Sequence, residues 1–243
     1  MAAGVAPIVR DATSGAPDPE SRMTQDLFVA IDRFIDDLFA PEDAALQAAV
    51  AEARAEGLPQ IQVSAGQGKL LYLLAKLVGA RRILEIGTLG GYSAIWLARA
   101  LPEDGFMVTL ELEPAHAKVA AKSLAHAGLL EKVELIVGSA LESLPRLADR
   151  GEGPFDLVFL DADKVNYSNY FVSIMRMVRP GSLILADNVI RADTVLDPKP
   201  NDPSAGAARD FNAMIAADAR LEAIVVQQVG IKGHDGLAIA RVK

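Results

Sequence analysis

Apolar residues recur along this chain at two different periods. Over residues 23–79 the period is helical. Leu27, Ile31, Phe34, Ile35 and Leu38 fall on one stripe, with Asp32, Arg33, Asp36 and Asp37 between them. That spacing predicts an amphipathic helix whose apolar face turns to the core, ending before Pro41. A second helix is expected over 42–56, with Leu46, Val50 and Ala53 inward and Gly57 as its stop. A third follows the polar break at 64–68. Its stripe is Leu70, Leu71, Leu74, Leu77 and Val78, closed by Gly79. From residue 82 the pattern changes to short apolar runs alternating with helical stretches. Strands are expected at 82–86, 106–111, 133–137, 155–161 and 182–187, and helices at about 91–101, 114–127, 140–149 and 168–178. Gly128 and the Pro180-Gly181 pair punctuate two helix ends. Strands alternating with helices of this length pair in parallel, which predicts a doubly wound α/β sheet with helices on both faces. Beyond Asp187 the chain turns irregular, with three prolines in 189–205. A helix at 205–218 and two strands at 222–229 and 235–242 follow. Gly230, Gly233 and Gly236 suit a hairpin-like connection between those strands.

Composition narrows the classes. The 243 residues fit one large domain, here residues 21–243, with N-terminal helices over 21–79 and a cofactor-binding sheet over 80–243. Residues 1–20, rich in Ala, Gly, Pro, Ser and Asp, read as a flexible tail. A formal net charge of -8 argues against a nucleic-acid partner, which needs a basic face. The absence of cysteine excludes disulfides, thiolate zinc sites and a cysteine nucleophile, and suits a reducing cytoplasm. No apolar run has the length of a membrane span, and the first residues lack the charged start and long apolar core of a secretory signal.

The candidate chemistry sits at expected strand ends. After the first strand come Gly87, Gly90 and Gly91, which permit a tight turn and close backbone approach. A pyrophosphate-binding turn wants G-x-G-x-x-G and a helix N-terminus free of carboxylates. Here the run is Glu85-Ile86-Gly87-Thr88-Leu89-Gly90-Gly91, with an acid in place of the first glycine. Such a turn suits a cofactor that carries positive charge and no phosphate, as S-adenosylmethionine does. Glu111, at the end of the second strand, lies where an acid accepts hydrogen bonds from ribose hydroxyls. Alternatively, Glu111 and Glu113 merely favour the N-terminus of the next helix. The fourth strand ends in Asp161-Ala162-Asp163-Lys164 and the fifth in Asp187-Asn188. Side by side, Asp161, Asp187 and Asn188 offer oxygen donors for a hard cation: magnesium first, with manganese or calcium as alternatives.

With these motifs in hand, the chain resembles the cation-dependent branch of the class I S-adenosylmethionine-dependent O-methyltransferases, the caffeoyl-CoA and catechol type, in its bacterial form. The carrying runs are Leu84 to Ser93, Asp161-Ala162-Asp163-Lys164-Val165-Asn166-Tyr167, Ala186-Asp187-Asn188, and Gly230 to Gly236. The resemblance implies a Rossmann-like seven-stranded sheet with an antiparallel last strand, and a homodimer formed partly through N-terminal helices. It implies a cofactor shell of Val63, Glu85, Gly87, Thr88, Ser93, Glu111, Ala140 and Asp163, and metal ligands Asp161, Asp187 and Asn188. Lys164 matches the position of the general base, its alternative being an ion pair with Asp163. The substrate implied is a small vicinal diphenol. Val189-Ile190-Arg191-Ala192-Asp193 replaces the Trp-Asn-Gly run of the plant enzymes, and Ala65-Gly66-Gln67-Gly68-Lys69 follows Ser64. Both departures fall where substrate would be gripped, so the chemistry is implied but caffeoyl-CoA itself is not. Small catechols, flavonoids, hydroxycinnamoyl thioesters and, against the charge, a modified RNA base stay open as acceptors.

Other residues receive structural expectations. His116 and His126 are expected on the surface, His234 in the hairpin, and Tyr92 and Trp96 in the packing of the first cofactor helix; Tyr167 and Tyr170 either wall the site or fill the core. Two other functions are weighed. An NAD-dependent oxidoreductase predicts G-x-G-x-x-G and a catalytic Tyr-Lys pair, neither of which is in place. A non-catalytic S-adenosylmethionine-binding module predicts loss of the metal acids, which are all present.

Overall fold

The computed structural model describes residues 19–192 and 194–243. Residues 1–18, most of the expected tail, and Asp193 lie outside the described residues. Three helices come first: α1 (Pro19–Phe39), α2 (Ala44–Ala55) and α3 (Ala65–Leu77). α1 starts within the stretch expected as tail, at a proline whose missing N–H costs nothing in a first turn. Asp43 caps α2 by accepting from the Leu46 N–H, and Ser64 caps α3 by accepting from the Gln67 N–H.

The alternating region follows as β1 (Arg82–Ile86), α4 (Tyr92–Ala100), β2 (Phe106–Glu111), α5 (Pro114–His126), β3 (Val133–Val137), α6 (Ala140–Asp149), β4 (Phe155–Leu160), α7 (Tyr167–Ile174) and β5 (Val178–Ala186). The chain ends in α8 (Pro203–Ala217), β6 (Leu221–Gly230) and β7 (Gly233–Val242). One seven-stranded sheet runs β3-β2-β1-β4-β5-β7-β6. β1 to β5 pair in parallel, and β7 runs antiparallel to both β5 and β6. Both faces are covered. Ile83, Met107, Leu157 and Phe159 pack with residues of α3 and α4, while Leu84, Val108, Val158 and Ile184 pack with residues of α6, α7 and α8. Burial on both faces is why these strands read as continuous apolar runs.

Three expectations are corrected. α7 ends at Ile174 and β5 begins at Val178, so Pro180-Gly181 lies inside a strand instead of ending a helix. Phe155 pairs with Val178 and Leu157 with Leu183; the register shift between them takes up the extra residues, a place where a strand tolerates proline. In α3 the buried face is Gly68, Leu71 and Ala75, and Leu77 is 83% exposed. In α1 the expected orientation is inverted. Phe34 and Leu38 are 64% and 58% exposed, and Leu27, Ile31 and Ile35 are exposed with them. The body of the molecule instead receives Asp32, which accepts from the Ile231 N–H at 2.8 Å.

Candidate active site

The strand order reverses between β1 and β4, so the loops leaving these two strands diverge and open a crevice at their carboxyl ends. Pairing of Ile86 with Leu160, and of Leu160 with Ala186, brings the three strand tips level. The Asp161 N–H donates to the Ile86 carbonyl at 2.9 Å, and the Asp187 N–H to the Leu160 carbonyl at 3.0 Å. The β1 tip can lie this close only because residue 87 is glycine. It has a φ of 99°, and a Cβ there would overlap the Asp161 carbonyl oxygen. The crevice is a cavity of about 820 Å³, toward the upper end of the ~300–1,000 Å³ range of small-molecule sites.

Most of the sequence-derived residues line this one cavity. Gly87, Thr88 and Ser93 come from the β1 turn and the start of α4, and Val63 from the segment before α3. Glu111 follows on β2 and Ala140 on α6. Asp161, Asp163, Lys164, Asp187 and Asn188 come from the tips of β4 and β5. Glu85 is the exception: it lies behind the cavity wall, fully buried. Its carboxylate accepts from Ser93 Oγ at 2.7 Å and from Thr109 Oγ1 at 2.6 Å. Thr109 Oγ1 is in turn 2.5 Å from Thr88 Oγ1. Burial pushes the Glu85 pKa up to about 8; the two hydroxyl bonds oppose the rise, and repulsion from Asp161 and Glu111 adds to it. Ser93 therefore connects this buried acid to the cavity.

Glu111 holds the glycine turn as well as facing the cavity. One of its oxygens accepts from the Thr88 and Leu89 N–H groups at 3.2 and 2.7 Å, and the other from the Glu113 N–H at 2.9 Å. His116, expected on the surface, is half-buried in the cavity wall with Nδ1 3.4 Å from Glu111. His126 is exposed as expected, and His234 meets Gln227 at 3.1 Å in the hairpin. Tyr92 donates to Glu42 at 2.6 Å, and Trp96 packs edge-on against Tyr72.

At the acidic tips, Lys164 is buried. Its ammonium donates to Asp161 Oδ1 at 3.0 Å and to the Tyr167 hydroxyl at 2.6 Å. The Tyr167 oxygen lies 3.0 Å from both the Leu160 and the Asp187 carbonyl oxygens, so it ties the two tips together. Asp163, the ion-pair partner considered for Lys164, is instead bonded to Tyr170 and Asn166. Burial raises the Asp187 pKa and the neighbouring Asp161 charge adds to this, while Lys164 and the Asn188 N–H oppose it. The Asn188 N–H donates to Asp187 Oδ1 at 2.8 Å from a left-handed backbone, φ 54°, which asparagine tolerates. Among the described residues no group of three His, Cys, Asp or Glu side chains is gathered to hold a metal. The candidate set is two carboxylates and one amide. That donor set fits a hard cation, because a buried carboxylate beside a second acid gains most from added positive charge.

Sequence reasoning missed Thr109 and the bridging role of Tyr167, and reached Gln67 only as one residue of the 65–69 segment. Thr109 pairs with Glu85 only through the sheet register. Gln67 lies in the first turn of α3, beside the Ser64 cap, and lines the cavity. Tyr167 follows Lys164 by three residues, a spacing that turns both inward once that stretch is helical.

Comparison with known proteins agrees with this geometry. The model of the O-methyltransferase family matches residues 38–243. A catechol O-methyltransferase from Niastella koreensis is 49% identical over 221 residues, covering 91% of this chain and 100% of the relative. A catechol O-methyltransferase from Mycobacterium tuberculosis is 49% identical over 213 residues, 88% of this chain and 95% of the relative. The crystal structure of the O-methyltransferase TomG from Streptomyces achromogenes, in complex with SAM, superimposes with a TM-score of 0.86 at 46% identity, covering 90% of this chain and 98% of that one. On its matched length, its sheet order and the site at its strand tips, this chain belongs to the O-methyltransferase family.

Proposed function

We propose that this enzyme transfers the methyl group of S-adenosylmethionine to one hydroxyl of a catechol-like small molecule, in a reaction that depends on a divalent cation, magnesium first. The observation that carries the reading is the convergence, in one cavity, of the β1 glycine turn with Asp161, Asp187 and Asn188. Two relatives named as catechol O-methyltransferases support the acceptor class, and the SAM complex of TomG supports the cofactor.

The chain's own residues divide the work. Val63, Gly87, Thr88, Ser93, Glu111, Ala140 and Asp163 hold the cofactor along the wall, with Glu85 acting from behind through Ser93. An ammonium or sulfonium near the β1 turn favours ionisation of Glu85, which burial alone disfavours. Asp161, Asp187 and Asn188 would hold the cation, which when bound acidifies adjacent phenolic hydroxyls whose ordinary pKa is about 10. Lys164, once its ammonium has released a proton to solvent and its pairing with Asp161 has given way, takes the phenolic proton at Nζ, and the Tyr167 hydroxyl keeps that nitrogen in place. Fixing acceptor and methyl donor in one crevice supplies the alignment. The protein works as a homodimer, and its cysteine-free composition fits a reducing cytoplasm. Among the described residues no helix is long and apolar enough to cross a membrane.

The test is a panel of vicinal diphenols assayed with labelled cofactor, with magnesium and with excess chelator. We expect transfer to several catechols, its loss in chelator, and a fall of roughly 10²-fold or more in Asp187→Ala with the fold retained. Full activity of that variant, or full activity in chelator, would remove the cation from the reaction.

A further inference from the structure

Two cations on the cavity wall are left unused by this chemistry. Arg191 lies three residues beyond Asn188, and Lys232 lies in the two-residue turn between β6 and β7. Neither makes an ion pair among the described residues, in a chain with 32 acidic and 24 basic residues. Lys164, in the same cavity, already has Asp161.

The backbone around both is built and not loose. Arg191 and Ala192 each have a φ of 57°, which folds the segment after β5 back toward β7. There, a single oxygen of Asp235 accepts from the N–H groups of Ile190, Arg191 and Gly236 at 3.0, 2.9 and 2.8 Å. That Asp235 oxygen is thus committed to backbone donors, and among the described residues no hydrogen bond or ion pair joins Asp235 to the Arg191 side chain. The Arg191 Nε is buried with no hydrogen-bond partner among the described residues. No other hydrogen bond from the guanidinium is made among the described residues, so its outer nitrogens keep their donors for a ligand in the cavity. Lys232 is anchored from below: Asp32 accepts from the Ile231 N–H, and the Gln25 side chain donates to the Gly230 carbonyl at 3.0 Å. Among the described residues its ammonium makes one hydrogen bond, to the Gln60 carbonyl at 3.4 Å, and partial desolvation at the cavity mouth lowers its pKa.

We propose that Arg191 and Lys232 form an anion-binding end of the acceptor site, so that the preferred acceptor is a catechol carrying a carboxylate. The proposal rests on the methyl-transfer reading above and names its substrate class. The diol faces Asp161, Asp187 and Asn188, and the carboxylate faces away from those acids toward the two cations. The planar Arg191 guanidinium matches a carboxylate edge, and Lys232 adds a point charge at the mouth.

The experiment compares caffeate with its methyl ester, which differ in one charge, and with the coenzyme A thioester, whose anions lie far from the ring. Wild-type enzyme is expected to favour caffeate over the ester by about tenfold in kcat/KM, mostly through KM, and the preference should shrink with added salt. Arg191→Gln and Lys232→Gln should each collapse the acid-to-ester ratio, and Arg191→Lys should keep part of it. Equal turnover of acid and ester by the wild type, or variants that lower both alike, would overturn the proposal. So would a thioester preferred over the free acid, or variants that raise only the KM for S-adenosylmethionine. If no catechol is methylated at all, the methyl-transfer reading fails, and calorimetry of caffeate and ester binding to the protein with S-adenosylhomocysteine still decides the anion site. Acid-selective binding lost in Arg191→Gln supports it, and equal binding overturns it.

Discussion

Glu85 accepts two hydroxyl hydrogen bonds inside the sheet and has no exposed surface. The sequence placed an acid beside the glycine turn, but not the shielding that sets its charge. That shielding comes from Thr109 directly opposite on β2 and from Ser93 on α4, contacts set by strand register and helix packing. Its consequence is a pH dependence with a definite sign. The folded pKa of about 8 lies above the ordinary 4.5, so between these values the folded protein binds a proton that the unfolded chain has released. Stability of the cofactor-free protein therefore falls as pH rises through that window. Glu85→Gln mimics the protonated form at every pH. In urea titrations without cofactor, it should match the wild type near pH 5 and exceed it by on the order of 1–3 kcal/mol near pH 9. It should also weaken S-adenosylmethionine binding, since a neutral amide cannot ionise toward the cofactor. Parallel stability profiles for the two proteins across this range would mean that Glu85 is ionised in the free state.

At the scale of elements, the strands were legible because a sheet buried on both faces concentrates β-branched and apolar residues into short runs such as Phe155 to Leu160. The acids at the tips were legible for the same reason: each run ends abruptly in a polar residue. Helix orientation was less so. Periodicity locates an apolar face but does not say what covers it, and in α3 the close contact is made by Gly68. A Cβ on that residue would overlap the indole of Trp96 on α4. Glycine there lets two helices approach at backbone distance, an arrangement that a search for large apolar residues passes over. Gly68→Ala should cost roughly 1–3 kcal/mol by overpacking, read as a lower urea midpoint with an unchanged slope. Because α3 carries Gln67 and follows Val63 at the cavity wall, the same substitution should raise the KM for S-adenosylmethionine. A variant as stable as the wild type would show that Trp96 has room to turn aside.

For the whole molecule, the inverted face of α1 is the main unbalanced feature. An amphipathic helix in a self-contained fold turns its apolar stripe inward. Here Asp32 faces the β6–β7 turn, and Leu27, Ile31, Phe34, Ile35 and Leu38 face out, with Ile224 and Val226 also exposed on the edge strand β6. A second copy of the chain is the occupant we propose, and its apolar burial would compensate an orientation that is unfavourable in isolation. The acids on the inner face follow from the same logic, since Asp32 is needed to accept from the Ile231 N–H. In sedimentation experiments the wild type is expected to run as a dimer, and the double variant Phe34→Asp, Leu38→Asp as a monomer that still unfolds cooperatively. A wild-type monomer would leave α1 without a reason for its orientation and defeat the dimer. The interface and the active site also share a joint. α1 holds the turn that carries Lys232, through Asp32 and Gln25. A monomeric variant with α1 loosened should therefore show a raised KM for the acceptor, and for S-adenosylmethionine a KM close to that of the wild type. Equal losses for both would instead point to a general weakening of the sheet's carboxyl end.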